Sequence, residues 1–313
     1  MEKSEIMFTT ADGDGVLGKM FVYTLPSVLV PFPELREICM SLGMDCGRIQ
    51  KPSAADAFRS ATGDIRERIE DGTNIFRLYF RDNKREGVIV RKELIKESLD
   101  VESNRYRKLA SVWYDRDADV FGYGDLEPDS QVDPESYCLQ AEQLFSKYRE
   151  CANSSHVNTI VEHVLESLNA TKSSFHGRFY FVPRDGMAQL ELLEDFLDAV
   201  NRQNLQTKSA ACNSFFVVND EKQRQKMAED FIAVTQEEIE QYIQRIQELL
   251  NKNTQSGAIM SRWLSKAEDL ARKKEYYEEL LQRRMDGLSQ GFASLRFYSS
   301  ELELRLRGYT KAA

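Results

Sequence analysis

The chain has 313 residues, an apolar fraction of 42% and a formal net charge of −9. This length allows one large domain or two smaller ones, and the composition excludes a wholly disordered protein. The negative charge argues against a protein that coats nucleic acid over its whole surface, because such proteins are basic. From Asp220 onward 16 acidic and 16 basic residues balance each other, so residues 1–219 carry the whole net charge.

The cysteine pattern and the lack of long apolar runs predict a soluble, cytoplasmic protein. No two cysteines have C-x-x-C spacing, which predicts inert thiols in a reducing compartment. The N-terminal segment has no apolar signal region, and no run of about 18 apolar residues occurs. The five cysteines are Cys39, Cys46, Cys138, Cys151 and Cys212.

The N-terminal part combines short strands with two helices. Two strands are expected around a turn at 12–15, and helices over 33–42 and from Ser53 toward Ile69. Residues 13–20 fit the pattern G-x-x-x-x-G-K of a phosphate-binding loop. Met20 stands where that loop needs a hydroxyl, and the segment that follows is proline-broken, so we interpret residues 12–15 as a hairpin turn.

Residues 74–124 alternate between apolar and polar side chains, which predicts an antiparallel meander with one covered face. A polar segment over 127–134 then predicts a linker. Helices are expected over 135–151, 155–169 and 187–203, and the aromatic strands 178–182 and 215–218 could pair with each other. Over about 74–203 the order of these pieces resembles an uncharacterised family of bacteria, phages and mobile elements. The resemblance implies a bacterial or viral source and no chemistry.

The last third carries apolar residues at steps of three and four, which predicts two long helices of about 221–252 and 258–308. An antiparallel hairpin covers most of both apolar stripes. The second helix is expected to extend beyond the first, which would leave apolar residues for the body of the protein or for a second copy of the chain. These residues are Leu288, Phe292, Leu295, Leu302 and Leu306.

The predicted fold class is α+β, with mostly antiparallel sheet and a C-terminal helical hairpin. Three consecutive domains are expected: an N-terminal α+β domain over 1–126, a helix–strand–helix–strand subdomain over 135–219, and the helical hairpin over 220–313.

Two charged groups are candidate binding sites. Arginines on the meander would bind phosphates or acidic side chains: Arg77 and Arg81 share a strand face, and Arg91, Arg105 and Arg107 join them if the strands are in register. An acidic segment would attract a basic partner. Its members are Asp115, Asp117, Asp119, Asp125 and Asp129.

The sequence predicts no cofactor, no metal site and no catalytic residues. His156, His163 and Cys151 do not have the spacing of a zinc site. We therefore expect a non-catalytic interaction or assembly protein that forms homo-oligomers through its C-terminal arm and acts on a host complex. Two alternatives stay open: a nucleic-acid accessory protein that uses the arginine face, and an enzyme whose site is assembled from distant residues.

Overall fold

The computed structural model describes residues 15–45, 50–71, 74–83, 87–99, 105–174, 177–251 and 256–310. The strands are β1 (Val16–Thr24), β2 (Leu29–Pro31), β3 (Arg66–Asp71), β4 (Asn74–Asp82), β5 (Ile89–Ser98), β6 (Arg105–Asp115), β7 (Val120–Gly124), β8 (Cys151–Asn153), β9 (Thr171–Lys172), β10 (Phe179–Pro183) and β11 (Ala211–Val218). The helices are α1 (Phe32–Ser41), α2 (Ala54–Asp64), α3 (Pro134–Glu150), α4 (Ser154–Ser167), α5 (Met187–Arg202), α6 (Glu221–Asn251), α7 (Gly257–Leu281) and α8 (Ser289–Thr310). The predicted α+β class with antiparallel sheets and a C-terminal helical pair is confirmed.

The chain forms two compact units that do not follow the three consecutive segments expected from the sequence. Unit 1 contains residues 1–24, 161–198 and 210–313, and unit 2 contains residues 25–160 and 199–209. Helices α4 and α5 each contribute residues to both units.

Unit 2 is built on an antiparallel five-stranded sheet with the strand order β3-β4-β5-β6-β7. Helices α2 and α3 pack on one face of this sheet, where Phe58, Tyr114, Phe121 and Phe145 form an aromatic cluster. The predicted cap is present, since the Ser53 hydroxyl accepts a hydrogen bond from a backbone N–H of the first turn of α2. Strand β3 occupies residues for which the sequence predicted the end of that helix.

Unit 1 contains a four-stranded antiparallel sheet with the order β11-β1-β10-β9. The direct pairing of the aromatic strands β10 and β11 is therefore wrong, because β1 lies between them and pairs with both. Residues Leu17, Met20, Phe181 and Val217 of this sheet belong to the same apolar core as the C-terminal helices.

The C-terminal region, as far as the structure describes it, contains three α-helices where the sequence predicted two. Helix α7 ends at Leu281, where Gln282 adopts a left-handed conformation with φ of 51°, and α8 packs against both α6 and α7. The expected single helix over 258–308 is therefore wrong. The proposed interface residues lie in the core of unit 1: Leu288, Phe292, Leu295 and Leu302 are buried there, and Leu306 is partly buried against it.

Three sequence expectations concern other parts of the chain. Most of the predicted turn at 12–15 and the strand before it lie outside the described residues. The expectation of free thiols is wrong for Cys39, which is disulfide-bonded. Burial raises the pKa of the free thiols of Cys138 and Cys212 to about 12 and about 11.

Within the described ranges, no helix has the length and apolarity needed to cross a membrane.

Candidate functional site

The face of the five-stranded sheet that points away from α2 and α3 presents arginines and aromatic side chains, and we call it the open face. Residues that pair across antiparallel strands point to the same side of a sheet, so the register defines its members. They are Arg66, Arg68 and Glu70 on β3, Ile75, Arg77, Tyr79 and Arg81 on β4, Ile89, Arg91, Glu93, Ile95 and Glu97 on β5, Tyr106, Lys108, Ser111, Trp113 and Asp115 on β6, and Val120, Gly122 and Gly124 on β7.

A β-bulge at Leu109 separates the five predicted arginines into two groups. Leu94 pairs with Ala110 and the next residue, Ile95, pairs with Lys108, so Leu109 is an extra residue in β6. One extra residue reverses the side to which every following side chain points. Arg77, Arg81 and Arg91 therefore share the open face, whereas the expectation that Arg105 and Arg107 join them is wrong.

Carboxylates of β5 hold the arginines of β4 in place. Arg81 donates a 3.1 Å hydrogen bond to Glu93, and its guanidinium lies 4.6 Å from the centre of the Tyr106 ring. Hydrogen bonds to Glu93 and Tyr106 raise the pKa of Arg81. Arg77 lies 4.0 Å from Glu97. The two glutamates are only 16% and 15% exposed, whereas Arg81 and Arg77 are 41% and 57% exposed, so the guanidinium groups present their remaining donors to solvent.

Trp113 lies flat over two glycines at the β7 edge of the open face. A Cβ atom placed on Gly122 would come within 2.7 Å of the indole ring, so this position has no room for a side chain. The guanidinium of Arg91 lies 5.6 Å from the centre of the Trp113 ring, a cation–π distance. The buried Nε atom of Arg91 has no hydrogen-bond partner among the described residues.

The open face is more basic than the rest of this acidic chain. It carries six basic residues (Arg66, Arg68, Arg77, Arg81, Arg91 and Lys108) and four acidic ones (Glu70, Glu93, Glu97 and Asp115), and Asp125 adds a fifth carboxylate at 2.9 Å from Lys108. Sequence reasoning missed the contributions of Arg66, Arg68, Tyr106 and Trp113. Residues 66–70 contain four charged residues and only one apolar residue, Ile69, so no apolar alternation in the sequence marks β3.

The carboxylates of the predicted acidic segment make contacts within the chain. Asp115 accepts hydrogen bonds from two backbone N–H groups of the β6–β7 turn, and Asp119 accepts from Tyr114 and twice from Arg149. Asp125 accepts from Lys108 and Ser111, and Asp129 from Lys96. Among the described contacts, only the Asp117 carboxylate has no partner. Partner binding by this segment stays a prediction, and its geometry gives it a structural role.

Unit 1 contains a separate charged cleft of about 510 Å³. Lys273 donates a 2.6 Å hydrogen bond to the carbonyl of Ala170, and burial lowers its pKa against the opposing effect of Glu238 and Glu166. Burial raises the pKa of Glu238, because it disfavours the charged form of a carboxyl group as it does that of an amine. The cleft therefore places a half-buried lysine beside two carboxylates, with Tyr242 and Tyr276 in its wall.

His156 has structural surroundings. The Nδ1 atom of His156 lies 2.8 Å from Oδ1 of Asn153, and its ring packs edge-on against Phe32. Burial lowers the pKa of His156. The described residues contain no group of three or more His, Cys, Asp or Glu side chains that could hold a metal ion.

The fold and the open face define the class: an α+β protein with an arginine-rich antiparallel sheet and a C-terminal helical pair. The chain belongs to a family of unknown function, DUF6744, whose sequence model matches residues 16–308. No curated protein matches the chain. No solved structure matches it either.

Proposed function

We propose that this chain is a non-catalytic interaction protein that binds a partner protein through the open face. The observation that carries the proposal is the set of exposed guanidinium groups held by partly buried carboxylates and, for Arg81, by the ring of Tyr106. Arginine, tyrosine and tryptophan are the residues most enriched at the energetic centres of protein interfaces. An arginine that is already oriented loses less side-chain freedom on binding, so more of the interaction energy is available for affinity.

The charges of the open face favour a protein over a nucleic acid. Glu93 and Glu97 lie in the central strand between the arginines. A nucleic-acid strand places a phosphate at every nucleotide, so some phosphates would meet these carboxylates. A protein surface can instead place single acidic side chains at the arginines and neutral or basic ones at the glutamates. We therefore expect a partner with separate acidic residues on its binding surface.

We also propose that the protein comes from a phage or mobile element and acts in the cytoplasm of the bacterial host. The resemblance over 74–203 supports a phage or mobile-element origin, with a protein complex of the bacterial host as the partner. A cytoplasmic location follows from that partner. Self-association is a separate matter, because the residues first proposed for it are buried in unit 1.

The test compares what two variants of the full chain recover from nuclease-treated lysate of the host. Arg77→Ala/Arg81→Ala removes two exposed guanidinium groups of the open face. Arg105→Ala is the matched control, because this exposed arginine lies on the opposite face of the same sheet. We expect the double variant to lose, by at least about tenfold, a partner that the wild type and the control retain.

Two outcomes would contradict the proposal. The first is equal recovery of all proteins with the wild type and the double variant. The second is a partner that is recovered only when the nuclease is omitted, together with a strongly salt-dependent gel shift of a labelled oligonucleotide that the double variant loses. That second result would establish the nucleic-acid alternative instead.

The enzyme alternative would use the charged cleft of unit 1. Lys273 is its only half-buried amine, but its Nζ atom already donates to the Ala170 carbonyl. This hydrogen bond gives Lys273 a role in joining α7 to the segment that precedes β9. We therefore base the proposed function on the open face.

A further inference from the structure

Strand β11 is an edge strand of the four-stranded sheet in unit 1, and nothing in its sequence blocks pairing with another strand. It pairs with β1 along all eight of its residues, and among the described residues no strand lies on its other side. Natural sheets protect such edges with charged residues, prolines, bulges or a covering element. β11 contains no charged residue and no proline, and its one register shift lies at the Val16/Gly18 end of β1.

The side chains of β11 are also unusually exposed for apolar residues. Phe215, Phe216 and Val218 are 47%, 52% and 50% exposed, and they point to both faces of the sheet. Phe215 borders an apolar groove of about 550 Å³ together with Met20 and Phe179. An added strand would therefore find backbone hydrogen bonds along the edge and an apolar surface beside it.

We propose that β11 is the surface through which two copies of this chain associate, with the two β11 strands antiparallel about a twofold axis. The occupant is a second copy because the strand is compatible with itself. In an antiparallel pair each strand offers the same donors and acceptors in reverse order, so a twofold arrangement satisfies both edges.

The composition of β11 supports this choice of occupant. It has no charges, so self-pairing brings no like charges opposite each other. Pairing near the middle of the strand places Phe215 and Phe216 of one copy alongside the same residues of the other, and aromatic cross-strand pairs are favourable. The grooves beside the two strands then lie at the ends of one continuous interface.

The experiment measures the molar mass of the full chain by sedimentation over a wide concentration range. We expect the wild type to form a reversible dimer. Phe216→Glu should weaken it by at least about tenfold, because the axis brings two carboxylates together and charges an uncharged edge. The fold should tolerate this change, since Phe216 is half exposed and the Lys19 ammonium lies 5.1 Å from its ring.

The matched control is Phe297→Glu, which changes a similarly exposed phenylalanine of unit 1 on α8. This variant should dimerise like the wild type. Hydrogen exchange of the wild type supplies a second measurement: amides of β11 should exchange more slowly as the concentration rises, whereas amides of α8 should not change.

The proposal is overturned if the wild type is a monomer at every concentration. It is also overturned if Phe297→Glu dissociates the dimer and Phe216→Glu does not, which would place the interface on α8. A monomer whose β11 amides are protected at every concentration would mean that another segment covers the edge. These results are independent of the proposed function, because the open-face variants leave β11 unchanged.

Discussion

Asp129 is the most buried carboxylate of the acidic segment, with 6% of its side chain exposed. It accepts a 2.8 Å hydrogen bond from Lys96, which is itself only 9% exposed, and lies 3.6 Å from Arg107. Burial alone would raise the pKa of Asp129, but the hydrogen bonds from Lys96 and from the backbone N–H of Gln131 outweigh burial and lower it. Asp129 therefore stabilises the folded state as a carboxylate.

Replacing Asp129 by asparagine should reduce both the stability of the protein and its sensitivity to acid. At neutral pH we expect a loss of about 2 kcal/mol in the free energy of unfolding, because buried Lys96 loses its charged acceptor. A carboxyl group with a lowered folded pKa stabilises above its unfolded pKa of about 3.9, and this contribution disappears as the pH falls through the folded pKa. Urea unfolding at a series of pH values measures both effects.

The wild type should thus lose more stability than Asp129→Asn below about pH 4. Asp117→Asn is the control, because Asp117 is exposed and its carboxylate has no partner among the described residues; it should change the free energy of unfolding by less than about 0.5 kcal/mol. Parallel pH profiles for the wild type and Asp129→Asn would contradict the assignment.

A single residue, Leu109, limits how much of the open face can be predicted from the sequence. Arg77 and Arg81 lie on one side of the sheet, as the alternation along a single strand predicts, and Arg91 joins them through the register of β4, β5 and β6. The bulge at Leu109 moved Arg105 and Arg107 to the other side. The alternation in β6 is broken at residues 107–110, but the position of a bulge also depends on how the neighbouring strand pairs, which the sequence of β6 does not contain.

The break between α7 and α8 determines the shape of the helical part of unit 1. The helix ends in a Schellman arrangement: the backbone N–H of Arg283 donates to the Glu278 carbonyl, and that of Gln282 donates to the Glu279 carbonyl. The Glu278 carboxylate also accepts a hydrogen bond from the backbone N–H of Met285, whose side chain is fully buried. The chain therefore turns where its sequence still favours a helix.

Gln282→Gly should raise the free energy of unfolding. A residue with a side chain pays about 1 kcal/mol for the left-handed conformation, and glycine does not. The same substitution at Gln244, an exposed position inside α6, is the control and should lower the stability by about 1 kcal/mol. Thermal or urea unfolding measures both values. A loss of stability at both positions would mean that the turn at Gln282 does not form.

At the scale of the whole molecule, each unit has its own apolar core. In unit 2, Phe58 is fully buried among aromatic rings of the sheet and α3. In unit 1, Phe231 is 2% exposed and its ring stacks at 4.3 Å on that of Tyr277. Different residues thus stabilise the two units.

Removing either ring should loosen mainly the unit to which it belongs. Phe58→Ala and Phe231→Ala should each lower the free energy of unfolding by about 3 to 5 kcal/mol, because a buried ring and its packing contacts are lost. We expect Phe58→Ala to speed hydrogen exchange in β4, β6 and α3, and Phe231→Ala to speed it in α6, α7 and α8. Each variant is the control for the other. Faster exchange in both units with either variant would show that they unfold as one cooperative body.

The sequence by itself determined the elements whose signals are local. The apolar spacing predicted a helix over 221–252, and α6 spans Glu221–Asn251; the alternation over 105–114 predicted β6 with similar bounds. Caps and periodicity depend on residues a few positions apart. Only the tertiary structure decided that β1 separates β10 from β11, that Leu109 forms a bulge and that α8 folds back on α6. Those features depend on contacts between residues far apart in the chain. The local sequence pattern does not show which of these distant residues pack together, so it cannot predict the energies of their contacts.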